Sequence, residues 1–296
     1  MTVGSTIARG LYQMPGCQHT QVHAIQRVSA RLSLSVALAI LPALPLHAQG
    51  PLDPVRQLYN QGRYDQAIPA AAKLATGATS DAANLLLGRS YLERFRKNRD
   101  DGDLVAAREA LRTVRQAPLS PSDRSDYLVG LGELLYLQES FGPAVEMFRT
   151  ALDSGRDLGP AAVERIFDWW ATALDRQVQS GATDHRDGNY RAIRDRAIAE
   201  LGRMPESVSA SYWLAASHRY LGDLTKAYDS AVAGWIRAPS GEERGLALRA
   251  DLDQLMIEAI IPERVRVLAA TEADRERAAA GLRGAWEAVK KDWPNK

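Results

Sequence analysis

The sequence is short of the side chains on which most catalytic and metal sites depend. Its 296 residues include one cysteine, Cys17, and five histidines. Nucleophilic catalysis needs a general base beside the nucleophile, and histidine is the commonest choice. An excess of positive charge is also lacking, since 37 Lys and Arg face 36 Asp and Glu. These shortages disfavour an enzyme, and they disfavour nucleic acid as a partner.

Acidic side chains are missing from the first 48 residues, whose pattern is typical of a secretory signal. The first acidic residue is Asp53, and Ala48 offers a small side chain at the cleavage point. An apolar run covers residues 32–46 and is preceded by three cations, Arg9, Arg27 and Arg31. This run of about 15 residues is shorter than the ~20 that a membrane-spanning helix needs. We therefore predict a signal peptide over residues 1–48, with no membrane span in the mature chain.

The same segment sets the expected compartment. Residue 49 is glutamine instead of the cysteine of a lipoprotein, and the segment has no Arg-Arg pair of the twin-arginine route. We expect secretion by a Sec-type signal, to the periplasm, with translation starting at Met1 or at Met14. Removal of the segment also removes Cys17, and it changes the formal charge from +1 to about −2.

From residue 55 to residue 289, apolar side chains recur at steps of three and four, which predicts an all-α protein. Within this pattern one phase repeats: a turn residue, a bulky residue two positions later, and a small or apolar residue three further on. In the clearest copy these are Gly222, Leu224 and Ala227. The positions equivalent to Ala227 are 40, 37, 49 and 34 residues apart, namely Ala67, Ala107, Ala144, Ile193 and Ala227.

This pattern resembles the tetratricopeptide repeat (TPR) family, whose standard period is 34 residues. The resemblance implies five imperfect antiparallel helix pairs over residues 49–239, stacked as a right-handed superhelical solenoid. Small residues such as Ala67 and Ala227 would let paired helices approach closely, while bulky residues such as Leu224 fill the space beside the turn. In the third unit Glu139 stands where the turn glycine is expected.

The C-terminal part, residues 240–296, is expected to close the solenoid with further helices. We predict a helix over about residues 242–260, a short helix opened by Pro262, and a last helix that begins with a capping box formed by Thr271 and Asp274. The last helix has an apolar face that would cap the solenoid or, as the alternative, dock a partner. That face consists of Ala278, Leu282, Ala285, Trp286, Val289 and Trp293.

The sequence contains few side chains suited to catalysis or metal binding. Only His185 and His218 follow the predicted signal, and His218 occupies a packing position of the repeat. Two acidic loops, at residues 98–103 and 184–189, do not match a calcium-binding loop, and we interpret them as solvated connectors. We therefore predict a protein that is not an enzyme, without a catalytic residue, a metal site or a cofactor.

In TPR proteins the first helices of successive pairs line a concave surface, and the resemblance places a mixture of aromatic and charged side chains there. Tyr and Arg are enriched at binding hot spots. The candidate partner-binding residues are Arg89, Glu93, Glu133, Tyr136, Asp168, Trp169, Tyr212, Arg219 and Tyr220. Trp169 lies off the apolar stripe of its helix and is expected to be exposed. Alternatively, these aromatic residues only pack between neighbouring helix pairs.

Two functions follow from this surface. The first is a periplasmic scaffold that binds a protein or peptide through the concave groove, without nucleic acid or membrane as a partner and with homo-oligomerisation left open. The alternative is a small-molecule-binding accessory protein of a solute transport system, in which Trp169, Tyr212 and Tyr220 form an apolar pocket and Arg219 binds an anion. A closed pocket of at least ~300 Å³ lined by these aromatic residues would favour the alternative.

Overall fold

A computed structural model describes residues 50–154, 158–181, 184–238 and 243–294 of the chain. These residues form helices and turns and no β-strand. The predicted signal peptide lies outside the described residues. No described helix is long and apolar enough to cross a membrane. The described residues divide between Leu119 and Ser120 into two compact units, an N-terminal unit (residues 50–119) and a C-terminal unit (residues 120–294).

The N-terminal unit consists of two helix pairs. The helices are α1 (Asp53–Asn60), α2 (Tyr64–Leu74), α3 (Ser80–Asn98) and α4 (Asp101–Arg112), with a 3₁₀ turn at Gly77–Thr79. Asp100 begins α4, because its side chain accepts a hydrogen bond from the Gly102 amide. Ala67 and Ala107 are fully buried, as the repeat pattern predicts.

The C-terminal unit consists of three helix pairs and the C-terminal helices. The pairs are α5 (Pro121–Leu137) with α6 (Phe141–Ser154), α7 (Pro160–Gln179) with α8 (Arg186–Arg203), and α9 (Val208–Tyr220) with α10 (Leu224–Arg237). Ala144, Ile193 and Ala227 are fully buried here. The prediction of an all-α chain built from adjacent helix pairs is confirmed.

Close contact between paired helices depends on small residues. A methyl group placed on Gly132 of α5 would lie 2.5 Å from the Phe148 ring of α6, so only glycine lets this aromatic ring reach the α5 backbone. The turn between the two helices also follows the repeat. Glu139 takes a left-handed backbone conformation with φ +58°, which is the conformation of Gly222 in the clearest copy.

The C-terminal helices differ from the prediction at Pro262. The α11 helix (Glu243–Leu255) runs through a π-helical turn (Met256–Ile260) into α12 (Ile261–Leu268), so Pro262 does not open a separate helix. A proline has no N–H to donate to the carbonyl four residues earlier, and the π turn accommodates this loss without ending the helix.

The last helix, α13 (Glu272–Asp292), begins as predicted, because the Thr271 side chain accepts a hydrogen bond from the Asp274 amide. Its predicted apolar face is only partly buried. Trp286 is fully enclosed and donates from Nε1 to Asp253 Oδ1 of α11 over 2.7 Å. Ala285 is exposed, and Trp293 keeps 50% of its surface in solvent.

Candidate functional site

The nine predicted partner-binding residues are divided between the two units, two in the N-terminal unit and seven in the C-terminal unit. Arg89 and Glu93 belong to the N-terminal unit and are buried at 7% and 8% exposure. The Arg89 guanidinium lies over the Tyr59 ring at 5.2 Å, and Glu93 pairs with Arg96 of the same helix. Both of these contacts lie within the N-terminal unit, and the low exposure of the two side chains does not support the prediction that they face a partner.

Two further candidates, Glu133 and Trp169, are also buried. The expectation that Trp169 is exposed is wrong, because only 3% of its surface meets solvent and its ring packs against Phe148 of α6 at 5.6 Å. α7 packs against helices on more than one side, so a side chain off its main apolar stripe is enclosed as well. Glu133 of α5 is 4% exposed.

The other five candidates come together in the C-terminal unit. They are half-buried and lie within electrostatic reach of one another, and three further carboxylates join them. We call this cluster the tyrosine–carboxylate surface. Its members are Tyr136, Asp168, Tyr212, Arg219, Tyr220, Asp251 and Glu263, with Asp175 buried beneath them.

Asp168 is held in this surface by an indole. Trp213 Nε1 of α9 donates to Asp168 Oδ1 of α7 over 2.8 Å. Burial raises the pKa of Asp168 to about 6, although the Trp213 hydrogen bond favours the ionised form and partly opposes this shift. The nearby Glu164 carboxylate raises the pKa further, and the Arg244 guanidinium lowers it.

Asp251 of α11 is the second carboxylate with a raised pKa. Burial raises its pKa to about 6, and the negative charge of Asp168 contributes to the shift. Within the described part of the chain, Asp251 makes no hydrogen bond and no ion pair. Its half-buried carboxylate therefore keeps its hydrogen-bonding capacity for water or for a ligand.

Stacked tyrosines form the floor of the surface. The Tyr190 and Tyr220 rings lie 4.3 Å apart and nearly parallel, at an angle of 8°. The Tyr190 hydroxyl donates to Asp175 Oδ1 over 2.7 Å. Burial raises the pKa of Asp175 and of both tyrosines, so the phenols stay protonated at neutral pH. Tyr212, next to this stack, also has a pKa well above its ordinary value, mainly through burial.

Arg219 has an internal partner. Its guanidinium binds Glu263 of α12 through both Nε and Nη2, with Nη2 to Oε1 at 2.6 Å, and it lies over the Tyr220 ring at 4.8 Å. A bidentate pair of this kind satisfies much of the donor capacity of the guanidinium. The alternative role of Arg219 as an anion-binding group is therefore not favoured by this geometry.

The charged groups at the surface are carboxylates and two arginines, Arg219 and Arg176, of which Arg176 hydrogen-bonds the Tyr136 side chain. Among the described residues no group of three or more His, Cys, Asp or Glu is arranged to hold a metal ion. His218 is buried at 8% exposure, and burial lowers its pKa. Partly exposed tyrosines beside carboxylates combine apolar contact area with directional hydrogen-bond acceptors.

Sequence reasoning missed Asp251 and Glu263. Asp251 and Glu263 lie beyond the last predicted repeat, so the TPR resemblance gave no reason to place them near α7 and α9.

Comparisons of the chain with protein-family models, with curated proteins and with solved structures found no match.

Proposed function

We propose that this protein is a non-catalytic binding module that engages a peptide segment of another protein through the tyrosine–carboxylate surface. One observation carries the proposal: side chains from α5, α7, α9, α11 and α12 converge there while each keeps part of its surface in solvent. Partly exposed aromatic residues that lie together are typical of contact sites.

The charge of the surface defines the partner. Four carboxylates lie at this surface against two arginines. The carboxylates are those of Asp168, Asp175, Asp251 and Glu263, and the arginines are Arg219 and Arg176. An excess of negative charge next to tyrosine faces attracts Lys or Arg side chains, which gain both ion pairing and cation–π contact. The peptide segment that we propose is therefore basic.

The small-molecule carrier has less support. The carrier hypothesis requires Trp169 to line an apolar pocket, but Trp169 is packed in the core. Arg219, its proposed anion-binding group, is paired with Glu263. A cavity of about 170 Å³ does exist in the C-terminal unit, but it is lined by other residues. This cavity is smaller than the ~300 Å³ pocket that would favour the carrier.

We also propose that the helix pairs are TPR-like repeats of a right-handed solenoid, that α13 caps its end, and that the chain is exported to the periplasm. Adjacent pairing of the helices and burial of the repeat alanines support the first part. The composition of residues 1–48 supports export. N-terminal sequencing of the exported protein should then begin at Gln49, and a retained Met1 or Met14 would contradict export.

Titration with defined peptides tests the binding proposal. The probes are two fluorescein-labelled dodecapeptides in which apolar residues alternate with either lysine or glutamate, followed by anisotropy. We expect saturable binding of the lysine peptide alone, weakened by salt because exposed charge pairs are screened. Asp251→Asn should weaken it about 5-fold through loss of one charge pair.

Glu272→Gln provides the matched control, because it removes a carboxylate from the exposed start of α13. This variant should bind the lysine peptide as the wild type does. Equal binding of both peptides by the wild type, or equal weakening by the two variants, would contradict the proposal.

A further inference from the structure

A second site lies in a cleft between the turn that precedes α10 and the end of α12. The cleft has a volume of about 170 Å³ and is lined by residues 222–225 on one side and by Arg264, Val267 and Leu268 on the other. Gly222 opens onto it with φ +80°, and a methyl group placed there would meet no other atom within 4 Å. None of the lining residues belongs to the tyrosine–carboxylate surface.

The Arg264 guanidinium in this cleft lacks a counterion. It stacks over the Tyr228 ring at 5.0 Å, and within the described residues it forms no ion pair. Its Nε atom is buried without a hydrogen-bond partner, and so is the Tyr228 hydroxyl. The positive charge of Arg264 is therefore not neutralised by a partner among the described residues, and an anion in the cleft would supply one.

The remaining charges in the cleft do not oppose an anion. Asp223 lines the cleft, but its carboxylate pairs with Lys226 Nζ at 2.9 Å and accepts a hydrogen bond from the Lys226 amide. The pair is neutral as a whole, and Arg264 leaves the cleft with a net positive charge. Asp223 also begins α10, whose first amides lack partners within the helix and carry the positive end of its dipole.

Apolar side chains form the rim of the cleft. Val267 and Leu268 are exposed by 76% and 61%, although consecutive aliphatic residues at a helix end are usually covered. They stand beside Arg264 on the same helix, so a ligand held by the guanidinium would place its other end against them. The site thus combines one anion-binding group with an aliphatic contact.

From this combination we infer that the cleft binds a small aliphatic carboxylate, with its carboxylate on Arg264 and its branched hydrocarbon chain against Val267 and Leu268. The volume suits a molecule of about eight heavy atoms, since an apolar cavity of about 150 Å³ holds benzene. The site is independent of the proposed peptide-binding surface, and either can fail without the other.

Isothermal titration of the full chain with 4-methylpentanoate tests the inference, with 4-methylpentanamide as the neutral analogue of the same shape. We expect saturable binding of the carboxylate and at least 10-fold weaker binding of the amide. Arg264→Gln should weaken the carboxylate at least 10-fold. Arg266→Gln is the matched control, because it removes an exposed cation from the same helix outside the cleft, and it should leave binding unchanged.

A second variant protects the test against misfolding of Arg264→Gln. Val267→Asp changes an exposed position, so its circular dichroism spectrum should stay helical. The added negative charge should repel the ligand and weaken carboxylate binding at least 10-fold. Absence of saturable carboxylate binding by the wild type would overturn the inference. Equal binding of carboxylate and amide, or full binding by both Arg264→Gln and Val267→Asp, would also overturn it.

Discussion

The indole of Trp213 donates a hydrogen bond to the carboxylate of Asp168 over 2.8 Å and so connects α9 with α7. Trp213 is buried at 5% exposure, while Asp168 is half-buried at the tyrosine–carboxylate surface. The bond therefore fixes a binding residue from within the core. Its energetic role depends on pH, because burial raises the pKa of Asp168 to about 6.

Replacing this indole should destabilise the fold most at neutral pH. Trp213→Phe removes a hydrogen bond to an ionised group, which is worth about 2 kcal/mol. At pH 5 the Asp168 carboxyl is mostly protonated, so we expect a smaller loss there. Urea unfolding at pH 7.5 and at pH 5 measures the difference. In an Asp168→Asn background the pH dependence of the loss should disappear, and a loss that is equal at both pH values in the wild-type background would contradict this role.

The ionised Asp251 carboxylate should lower the free energy of unfolding at neutral pH. Its folded-state pKa of about 6 lies above the ordinary value of 3.8, so the folded chain binds the proton more tightly than the unfolded chain. Stability then falls as the pH rises through the range from about 4 to 6. Asp251→Asn removes this cost and should raise the free energy of unfolding by about 1 kcal/mol at pH 7.5. At pH 3.5 the gain should vanish. Denaturation of Asp251→Asn at both pH values decides the matter, and a variant less stable than the wild type at pH 7.5 would refute the assignment.

The contact between Gly132 and Phe148 predicts opposite effects for two glycine substitutions. Gly132→Ala should destabilise the protein by about 1–3 kcal/mol, because the new methyl group would lie 2.5 Å from the Phe148 ring. Gly284→Ala in α13 meets no atom within 4 Å and should stabilise the helix by up to about 1 kcal/mol. Chemical denaturation of the two variants measures both signs. A stabilising Gly132→Ala would show that α5 and α6 are not in close contact.

Two tryptophans test how α13 is attached. Trp286 is fully buried and hydrogen-bonded to Asp253, so Trp286→Ala should cost about 3–5 kcal/mol. Trp293 has a half-exposed side chain, and Trp293→Ala should change stability by no more than about 0.5 kcal/mol. Thermal unfolding of both variants makes the comparison. Similar losses in the two would mean that α13 is not anchored through Trp286.

The helix pairs could be predicted from the sequence because they depend on local periodicity. The small or apolar residue at each repeat position is buried, and the Thr271 cap forms as its spacing to Asp274 predicts. The turn at Glu139 follows the repeat even without glycine, since its position required a left-handed conformation. Each of these features is fixed by residues a few positions apart.

The composition of the candidate site could be predicted only in part. The burial of Trp169 depends on how α7 is rotated against α6, and the pairing of Arg219 with Glu263 joins residues 44 positions apart. Neither contact can be inferred from the spacing of residues along a single helix. Asp251 reaches the surface because α11 packs against α9, a contact that lies beyond the repeat.

Hydrogen–deuterium exchange with and without the lysine dodecapeptide tests the central claim most directly, because it locates the bound peptide on the chain. The account predicts slower exchange of amides in α5, α7, α9, α11 and α12, the helices that supply the tyrosine–carboxylate surface. At a peptide concentration near the wild-type dissociation constant, the protection should be weaker in Asp251→Asn. Protection confined to other helices, or identical protection in the wild type and in Asp251→Asn, would contradict it.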